Sequence, residues 1–184
     1  FDRRLYRQDI AGSIAHAKML TKQGIISQQD ADCIIKGLTD ISSEIEQNQF
    51  KFRDELEDIH MAIEARLFEL IGELAGKLHT ARSRNDQIAL DMRLFTKEAI
   101  SETLKRLTDL QQTLVGVAEK NKGVIMAGYT HLQPAQPVMI AHHLLAYFEM
   151  LQRDVERFSD AQKRTDIMPL GSGALAGVAY NIDR

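Results

Sequence analysis

An apolar seam longer than an ordinary globular helix runs through the second half of the chain. Between Asp86 and Lys122, leucine, isoleucine and valine recur every three or four residues. The positions are Ile100, Leu104, Leu107, Leu110, Leu114 and Val117. Because an α-helix rises 1.5 Å per residue, about 35 helical residues would span about 50 Å. A helix of that length is typical of helical bundles.

A second seam follows Pro137 and predicts another bundle helix that reaches about Thr165. Its positions are Ala141, Leu144, Leu145, Phe148, Leu151, Val155 and Phe158. Their spacing is close to the 3.5 residues of packed bundle helices. Three shorter helices are predicted upstream, over Arg7–Lys22, from Ser27 and from about Asp58. Asp30 would complete a capping box with Ser27, and Gly76 would end the third helix.

The predicted fold class is all-α. Only three prolines occur, aromatic residues make up 6% of the chain, and the period-2 alternation of strands is hard to find. A boundary near Gly76 would separate a small N-terminal helical domain, residues 1–76, from the first part of a central long-helix bundle, residues 77–184. The glycine-rich segment Pro169–Ala174 lacks the Lys-Ser/Thr pair of a phosphate-binding loop, so it is predicted to be a helix break.

Composition excludes several classes of function. The net charge is −3 and no basic run reaches five residues, so no nucleic-acid partner is expected. No apolar stretch approaches the roughly 20 residues of a membrane span. The single cysteine, Cys33, allows no intrachain disulfide and no CxxC motif, and its neighbours predict a packed thiol. A reducing, cytoplasmic setting is therefore expected.

The first polar segment, His79–Gln87, contains a histidine, two arginines, hydroxyls and amides but no large apolar side chain. It lies between two helical patterns, and Asn85 or Asp86 is predicted to cap the helix that follows. A helix N-terminus offers free N–H groups, and Arg82 and Arg84 could grip carboxylates. This combination suits an anionic small molecule with several carboxylates. A solvated, charged helix entry is the alternative.

The second polar segment, Gly128–Gln136, presents Thr130, His131 and Gln133 just before a predicted helix. Histidine is the natural proton carrier near neutral pH, although a lone loop histidine is more often structural. The other histidines give no metal-binding pattern: His60 and Glu64 lie four residues apart but lack a third ligand. No metal site is predicted.

Four parts of the chain resemble the argininosuccinate lyase family of the fumarase/aspartase superfamily. They are Phe1–Leu5 with Asp9–Ser13 and Ala15–Ala17, Glu57–His60 with Lys77–Gln87, Gly128–Gln133 with Ala135–Pro137, and Pro169–Gly177 with Ile182–Arg184. The match covers nearly the whole chain, and the two polar segments are highly specific when they occur together.

The sequence departs from the family at three points. Ala81 stands where the family usually has glycine, and Pro134 replaces a usual arginine. If position 81 needs a positive φ, alanine costs about 1 kcal/mol there and could displace the loop slightly. By the resemblance, a third conserved region with a catalytic serine and a lysine lies beyond Arg184, so these 184 residues alone are expected to be inactive.

The resemblance implies cleavage of argininosuccinate to arginine and fumarate by β-elimination, in arginine biosynthesis, without metal or organic cofactor. It also implies a homotetramer in which each active site is shared between subunits. His131 would take part in proton transfer. The implied substrate contacts are Ser83 and Asn85 on the succinyl part with Arg84 nearby, Thr130 on a carboxylate, and Ser13 on the amino-acid end. Arg82 would be either functional or part of a structural ion pair.

Two alternatives to this enzyme remain open on the sequence. Lens delta-crystallin shares the same pattern, and some copies of it lack activity. Another superfamily lyase, acting on adenylosuccinate or aspartate, would share the fold, although the run Arg82–Gln87 argues against it.

Overall fold

The computed structural model describes residues 2–184, which form five α-helices and one β-hairpin. The helices are α1 (Tyr6–Lys22), α2 (Gln28–Glu46), α3 (Ile59–Ile71), α4 (Arg84–Lys120) and α5 (Ile140–Thr165), the strands are β1 (Ile125–Thr130) and β2 (Gln133–Met139), and 3₁₀ helices cover Asp2–Leu5 and Gly72–His79. The all-α prediction is confirmed, with the hairpin as an addition. Phe1, the first residue of the family resemblance, lies outside the described residues.

Local sequence signals account for most of the short helices. Ser27 caps α2, and Asp30 completes the predicted capping box. Asp58 caps α3 and accepts a hydrogen bond from the backbone N–H of Met61 at 2.7 Å. The predicted stop at Gly76 is wrong: α3 ends at Ile71, because Gly72 adopts φ +67° and the chain continues as a 3₁₀ helix.

The chain divides into two compact units, and the first contains the residues up to Phe95 together with residues 167–184. Its core lies between α1, α2, α3 and the 3₁₀ helix Gly72–His79. The largest fully buried apolar side chains are Leu20, Ile34, Leu38, Ile41, Ile59 and Leu67. Helices α2 and α3 approach closely at Gly37, where a Cβ would lie 2.6 Å from Cδ1 of Leu67. Helices α2 and α3 supply all of these buried side chains except Leu20, which lies in α1.

The two units divide after Phe95 and after Asp166 rather than near Gly76. The first polar segment and the first turns of α4 belong to the first unit because their polar side chains bond to α1 and α3. The assignment of residues 1–76 and 77–184 to separate domains stays a prediction.

The second unit, residues 96–166, contains the hairpin that sequence reasoning missed. The second polar segment was predicted as a loop and Pro137 as the first residue of a helix, and both predictions are wrong. Pro137 lies in β2 and is paired with Ala127, and α5 begins only at Ile140. His131 and Leu132 form a two-residue connection with φ values of +51° and +62°, as a type I′ turn requires. Neither is a residue that normally marks such a turn.

The long seams of α4 and α5 are only partly covered within this unit. Ile100 is buried, but Leu110 and Val117 are 47% and 42% exposed. No residue of α5 is buried, although Gln111 of α4 donates to Oε1 of Gln152 at 3.2 Å. Among the described residues, none of the helices combines the length and the hydropathy that crossing a membrane requires.

Candidate functional site

The loop Thr80–Ser83, which we call the entry loop, leads into α4 and is held by hydrogen bonds at three of its residues. Nε2 of His16 lies 2.8 Å from the carbonyl oxygen of Thr80. Nη1 of Arg82 donates to Oγ of Ser13 at 3.0 Å, and the N–H of Ser83 donates to Oδ1 of Asp86 at 2.8 Å. Ser13 and His16 lie three residues apart on one face of α1. That helix therefore fixes both ends of the tripeptide Thr80–Arg82.

His16 acts on the entry loop as a neutral hydrogen-bond donor. It is 2% exposed, and burial, followed by the positive charge of Arg82, lowers its pKa from 6.5 to about 4. The Thr80 carbonyl can only accept, so Nε2 carries the single ring proton. Sequence reasoning placed His16 inside a helix and assigned it no such contact.

Ala81 has a strained backbone in the middle of this loop. Its φ is +59°, in the left-handed region, and its side chain is 6% exposed. The positive φ that the family's usual glycine implies is therefore present here with alanine. The hydrogen bonds on either side hold a conformation that costs an alanine about 1 kcal/mol.

Helix α4 starts two residues earlier than predicted. Ser83 precedes the first helical residue, and its Oγ accepts from the N–H of Asn85 at 3.3 Å. Asp86, the third residue of the helix, accepts from the N–H of Ser83. Ser83 therefore occupies the N-cap position, and the prediction of Asn85 or Asp86 as the N-cap is wrong. Asn85 is thereby free of a capping role. Its exposed amide has no hydrogen-bond partner among residues 2–184, so it can bind a ligand.

The two arginines of the first polar segment differ in their partners. Arg84 pairs with Glu64 and also donates to Oε1 of Gln87 at 2.8 Å. Arg82 forms no ion pair in the described part of the chain, and its buried Nε has no hydrogen-bond partner there. Burial lowers the pKa of Arg82, while the negative charges of Asp9 and Asp91 oppose this effect. Arg82 therefore orients Ser13: since the guanidinium only donates, the Ser13 hydroxyl must accept from it.

A buried group of Asp9, His60 and Asp91 lies behind the entry loop. Nε2 of His60 lies 2.8 Å from Oδ2 of Asp91, and Gln87 donates to Oδ1 of Asp9 at 2.5 Å. Burial lowers the pKa of His60, but the hydrogen bond to Asp91 and the neighbouring carboxylates outweigh it and raise that pKa. Burial raises the pKa of Asp91, against the hydrogen bond from His60. Sequence reasoning missed this group, because its members lie on α1, α3 and α4.

The same three side chains could in principle hold a metal ion. One donor atom from each lies within 4.8 Å of the others. Asp9 and Asp91 already accept hydrogen bonds from Gln87 and His60, and the charge of Arg82 acts on both carboxylates. Oδ1 of Asp91 is buried without a hydrogen-bond partner in the described part of the chain. The other hydrogen bonds of the group join α1, α3 and the start of α4, so we assign the group a structural role.

The predicted site residues fall in both units. Ser13, Arg82, Arg84 and Gln87 line one pocket of the first unit. Ser83 and Asn85 lie at the adjoining start of α4, where Oγ of Ser83 accepts from the N–H of Asn85. Thr130 and His131 lie in the second unit, at the end of β1 and in the hairpin turn, where both are exposed. Neither side chain has a hydrogen-bond or ion-pair partner among residues 2–184, so both are accessible at the tip of the hairpin.

Comparisons with known proteins identify the family of the chain. The family described as "Lyase" matches residues 1–184. An argininosuccinate lyase of Dehalococcoides mccartyi is 62% identical over the whole chain, which spans 40% of that protein, and one of Syntrophotalea carbinolica is 56% identical with the same coverage. The chain belongs to this lyase family.

Solved structures of an EDDS lyase and of a class II fumarase share the fold of this chain. An EDDS lyase in complex with formate superposes with a TM-score of 0.86 at 28% identity, covering 97% of this chain and 35% of that one. A class II fumarase from Schistosoma mansoni, at 21% identity, shares the fold with a TM-score of 0.74 over 95% of this chain and 40% of that one. The chain thus spans about 40% of the length of its curated relatives.

Replacing Ala81 with glycine should stabilise this family member. Glycine adopts φ +59° without strain, so we expect Ala81→Gly to raise the free energy of unfolding by about 1 kcal/mol. The matched control is Ala15→Gly, which places the same change at an exposed position inside α1 and should lower stability by about 1 kcal/mol. Urea unfolding at fixed protein concentration measures both. Equal effects of the two substitutions would contradict the strain at Ala81.

The neutral His16 should make the protein less stable in mild acid. Between pH 6.5 and about 4 the unfolded chain binds a proton that folded His16 does not, so stability falls as pH falls through this window, by up to about 3 kcal/mol. His16→Gln keeps a donor for Thr80 but removes the titration. Urea midpoints at about pH 7 and about pH 5 should therefore differ less in the variant than in the unmodified protein. The raised pKa of Asp91 makes stability change with pH in the opposite direction. Asp91 is present in both proteins, so its effect cancels when their pH differences are compared. An unchanged difference would mean that folding does not lower the pKa of His16.

Proposed function

We propose that the complete gene product is an argininosuccinate lyase that forms arginine and fumarate. A base removes a proton from the carbon next to a succinyl carboxylate, and the negative charge spreads into that carboxylate. The C–N bond to the guanidino group then breaks, and an acid protonates the leaving nitrogen. The proposal is supported by curated relatives of that name at 56–62% identity over the whole chain.

The observation that carries the proposal is the fixed entry loop at the start of α4. The substrate has three carboxylates, and a helix N-terminus with oriented N–H groups suits such an anion. Asn85 offers an unpartnered amide there, next to the capping hydroxyl of Ser83. Because the loop is held by His16, Ser13 and Asp86 without any ligand, its donors need no reorganisation when charge develops in the transition state.

We assign the substrate contacts by the family pattern and by these environments. Ser83 and Asn85 contact the succinyl part, with Arg84 nearby and partly neutralised by Glu64. Ser13 contacts the amino-acid end through a hydroxyl that Arg82 orients. Thr130 contacts a carboxylate.

His131 is the proposed proton carrier or the group that orients it. The imidazole lies in a tight hairpin turn whose two positive φ values fix its backbone. It is exposed, and no residue of the described chain engages it. An accessible imidazole can act as a general acid or base toward a bound substrate.

The proposed assembly is a homotetramer whose active sites are shared between subunits, acting in the cytoplasm without a metal or organic cofactor. Support comes from the seams of α4 and α5, where Leu110, Val117 and Leu145 are more than 40% exposed. Apolar seams of this length associate with further helices. Because the chain spans 40% of its relatives, activity is proposed for the complete gene product, and the 184 residues alone should form no fumarate.

Fumarate absorbance tests the reaction directly. The complete gene product should release fumarate from argininosuccinate and not from adenylosuccinate. Turnover of adenylosuccinate instead would point to another superfamily lyase, and no turnover of either would point to a structural protein of the delta-crystallin kind.

Replacing His131 tests its role in proton transfer. His131→Asn should lower kcat by about two orders of magnitude or more, the usual scale of general acid–base catalysis. Its melting temperature should stay close to that of the unmodified protein, because the side chain is exposed and has no partner in residues 2–184. Near-full turnover in this variant would remove His131 from the chemistry.

Alanine at Asn85 or Thr130 separates substrate binding from folding. Asn85→Ala and Thr130→Ala should each lower kcat/KM for argininosuccinate by about tenfold or more, while stability changes by no more than about 1 kcal/mol. The matched control is Thr39→Ala, an exposed threonine of α2 that only bonds the Ile35 carbonyl. If the losses in kcat/KM follow the losses in stability, the two residues are fold elements.

A further inference from the structure

One buried carboxylate receives backbone hydrogen bonds from two distant segments. Oδ1 of Asp86 accepts from the N–H of Ser83 at 2.8 Å. Oδ2 accepts from the N–H of Gly171 at 3.0 Å and from the N–H of Gly173 at 2.7 Å. Asp86 is 3% exposed, so no solvent competes for these donors. A carboxylate can accept all three bonds, since it has two oxygens and no proton of its own.

The glycine-rich turn is shaped around this carboxylate. Gly171 and Gly173 have φ values of +98° and +62°, which turn their N–H groups toward a single point, as in an anion-binding nest. A Cβ on Gly171 would lie 2.7 Å from Cδ1 of Ile182, and one on Gly173 would lie 3.0 Å from Cγ1 of Val178. The backbone conformation favours glycine at both positions, and the carbonyl oxygen of Gly177, 3.1 Å from a Cβ on Gly173, also restricts the space there. The turn is therefore more than a helix break.

We propose that Asp86 is a positioning residue that connects the glycine-rich turn to the entry loop and thereby sets the substrate contacts Ser83 and Asn85. This inference rests on the proposed function, because those two residues are substrate contacts only by that proposal. Asp86 itself is buried behind the loop and touches no substrate. Its effect on the reaction passes through the backbone of Ser83, whose N–H it fixes. A displacement of the turn therefore moves the residues that bind the succinyl part.

Asp86→Asn tests the connection with the smallest change in shape. An amide has one acceptor oxygen, so in either orientation its NH₂ group faces at least one of the backbone N–H donors. Amide exchange at residues 83–86 and at residues 171–173 should accelerate together, by about tenfold or more. KM for argininosuccinate should rise by about tenfold, with a smaller change in kcat, because a binding contact moves and His131 does not.

The matched control is Asp30→Asn. Asp30 occupies the equivalent position of α2, where it accepts from the N–H of Ser27, but it has no contact with the glycine-rich turn. Asp30 also pairs with Lys77 at 2.7 Å, so this variant should accelerate exchange around Ser27–Asp30 and near Lys77 but not at residues 171–173. It should keep both KM and kcat within about twofold of the unmodified protein.

Gly173→Ala tests the same connection by changing the glycine-rich turn instead of Asp86. It replaces Asp86→Asn if that variant does not fold. It leaves the bond between Asp86 and Ser83 in place but displaces the turn, so KM should again rise and exchange at residues 83–86 should again accelerate. Faster exchange confined to the mutated segment, or an unchanged KM in both variants, would overturn the proposal. If the unmodified gene product cleaves no argininosuccinate, the proposed function fails, and the exchange comparison still decides whether Asp86 connects the two segments.

Discussion

Buried polar groups on α1, α3 and α4 have to satisfy one another, and the position of the entry loop depends on this requirement. An ionised side chain without partners in a protein interior is too costly to persist. Gln87 donates to Asp9, His60 binds Asp91, and Arg82 donates to Ser13. These contacts bring the start of α4 against α1 and α3, which places the first polar segment in the helical unit that precedes it.

The entry loop is stiff because opposing groups hold it at nearly every residue. Neutral His16 holds Thr80 from α1, and Asp86 holds Ser83 from α4. The hydrogen bonds compensate for the left-handed backbone of Ala81 between them. A loop of this kind presents fixed donors to an anion, which is the property that stabilises a developing carbanion and its carboxylate. The proposed chemistry thus depends on packing behind the loop as much as on the residues that face the substrate.

Sequence reasoning found the site residues by their chemistry but not the contacts that hold them. The polar composition of the first polar segment identified a helix entry, yet the cap was misplaced because Ser83, Asn85 and Asp86 are all good capping residues. The hairpin around His131 was missed because its strands contain prolines and its turn contains neither glycine nor asparagine. The exposed Cys33, which its apolar neighbours had predicted to be packed, shows the same limit of local patterns.

The sequence by itself determined the helices, their seams, the family and the residue types of the site. Helical periodicity and capping depend on side chains three or four residues apart, so they can be predicted from a short segment of sequence. Tertiary structure decided the rest: the protonation of His16, the partners of Arg82 and Arg84, and the connection of Asp86 to Gly171 and Gly173. Each of these depends on burial and on groups from 20 to 87 residues away in the chain, which no local pattern encodes.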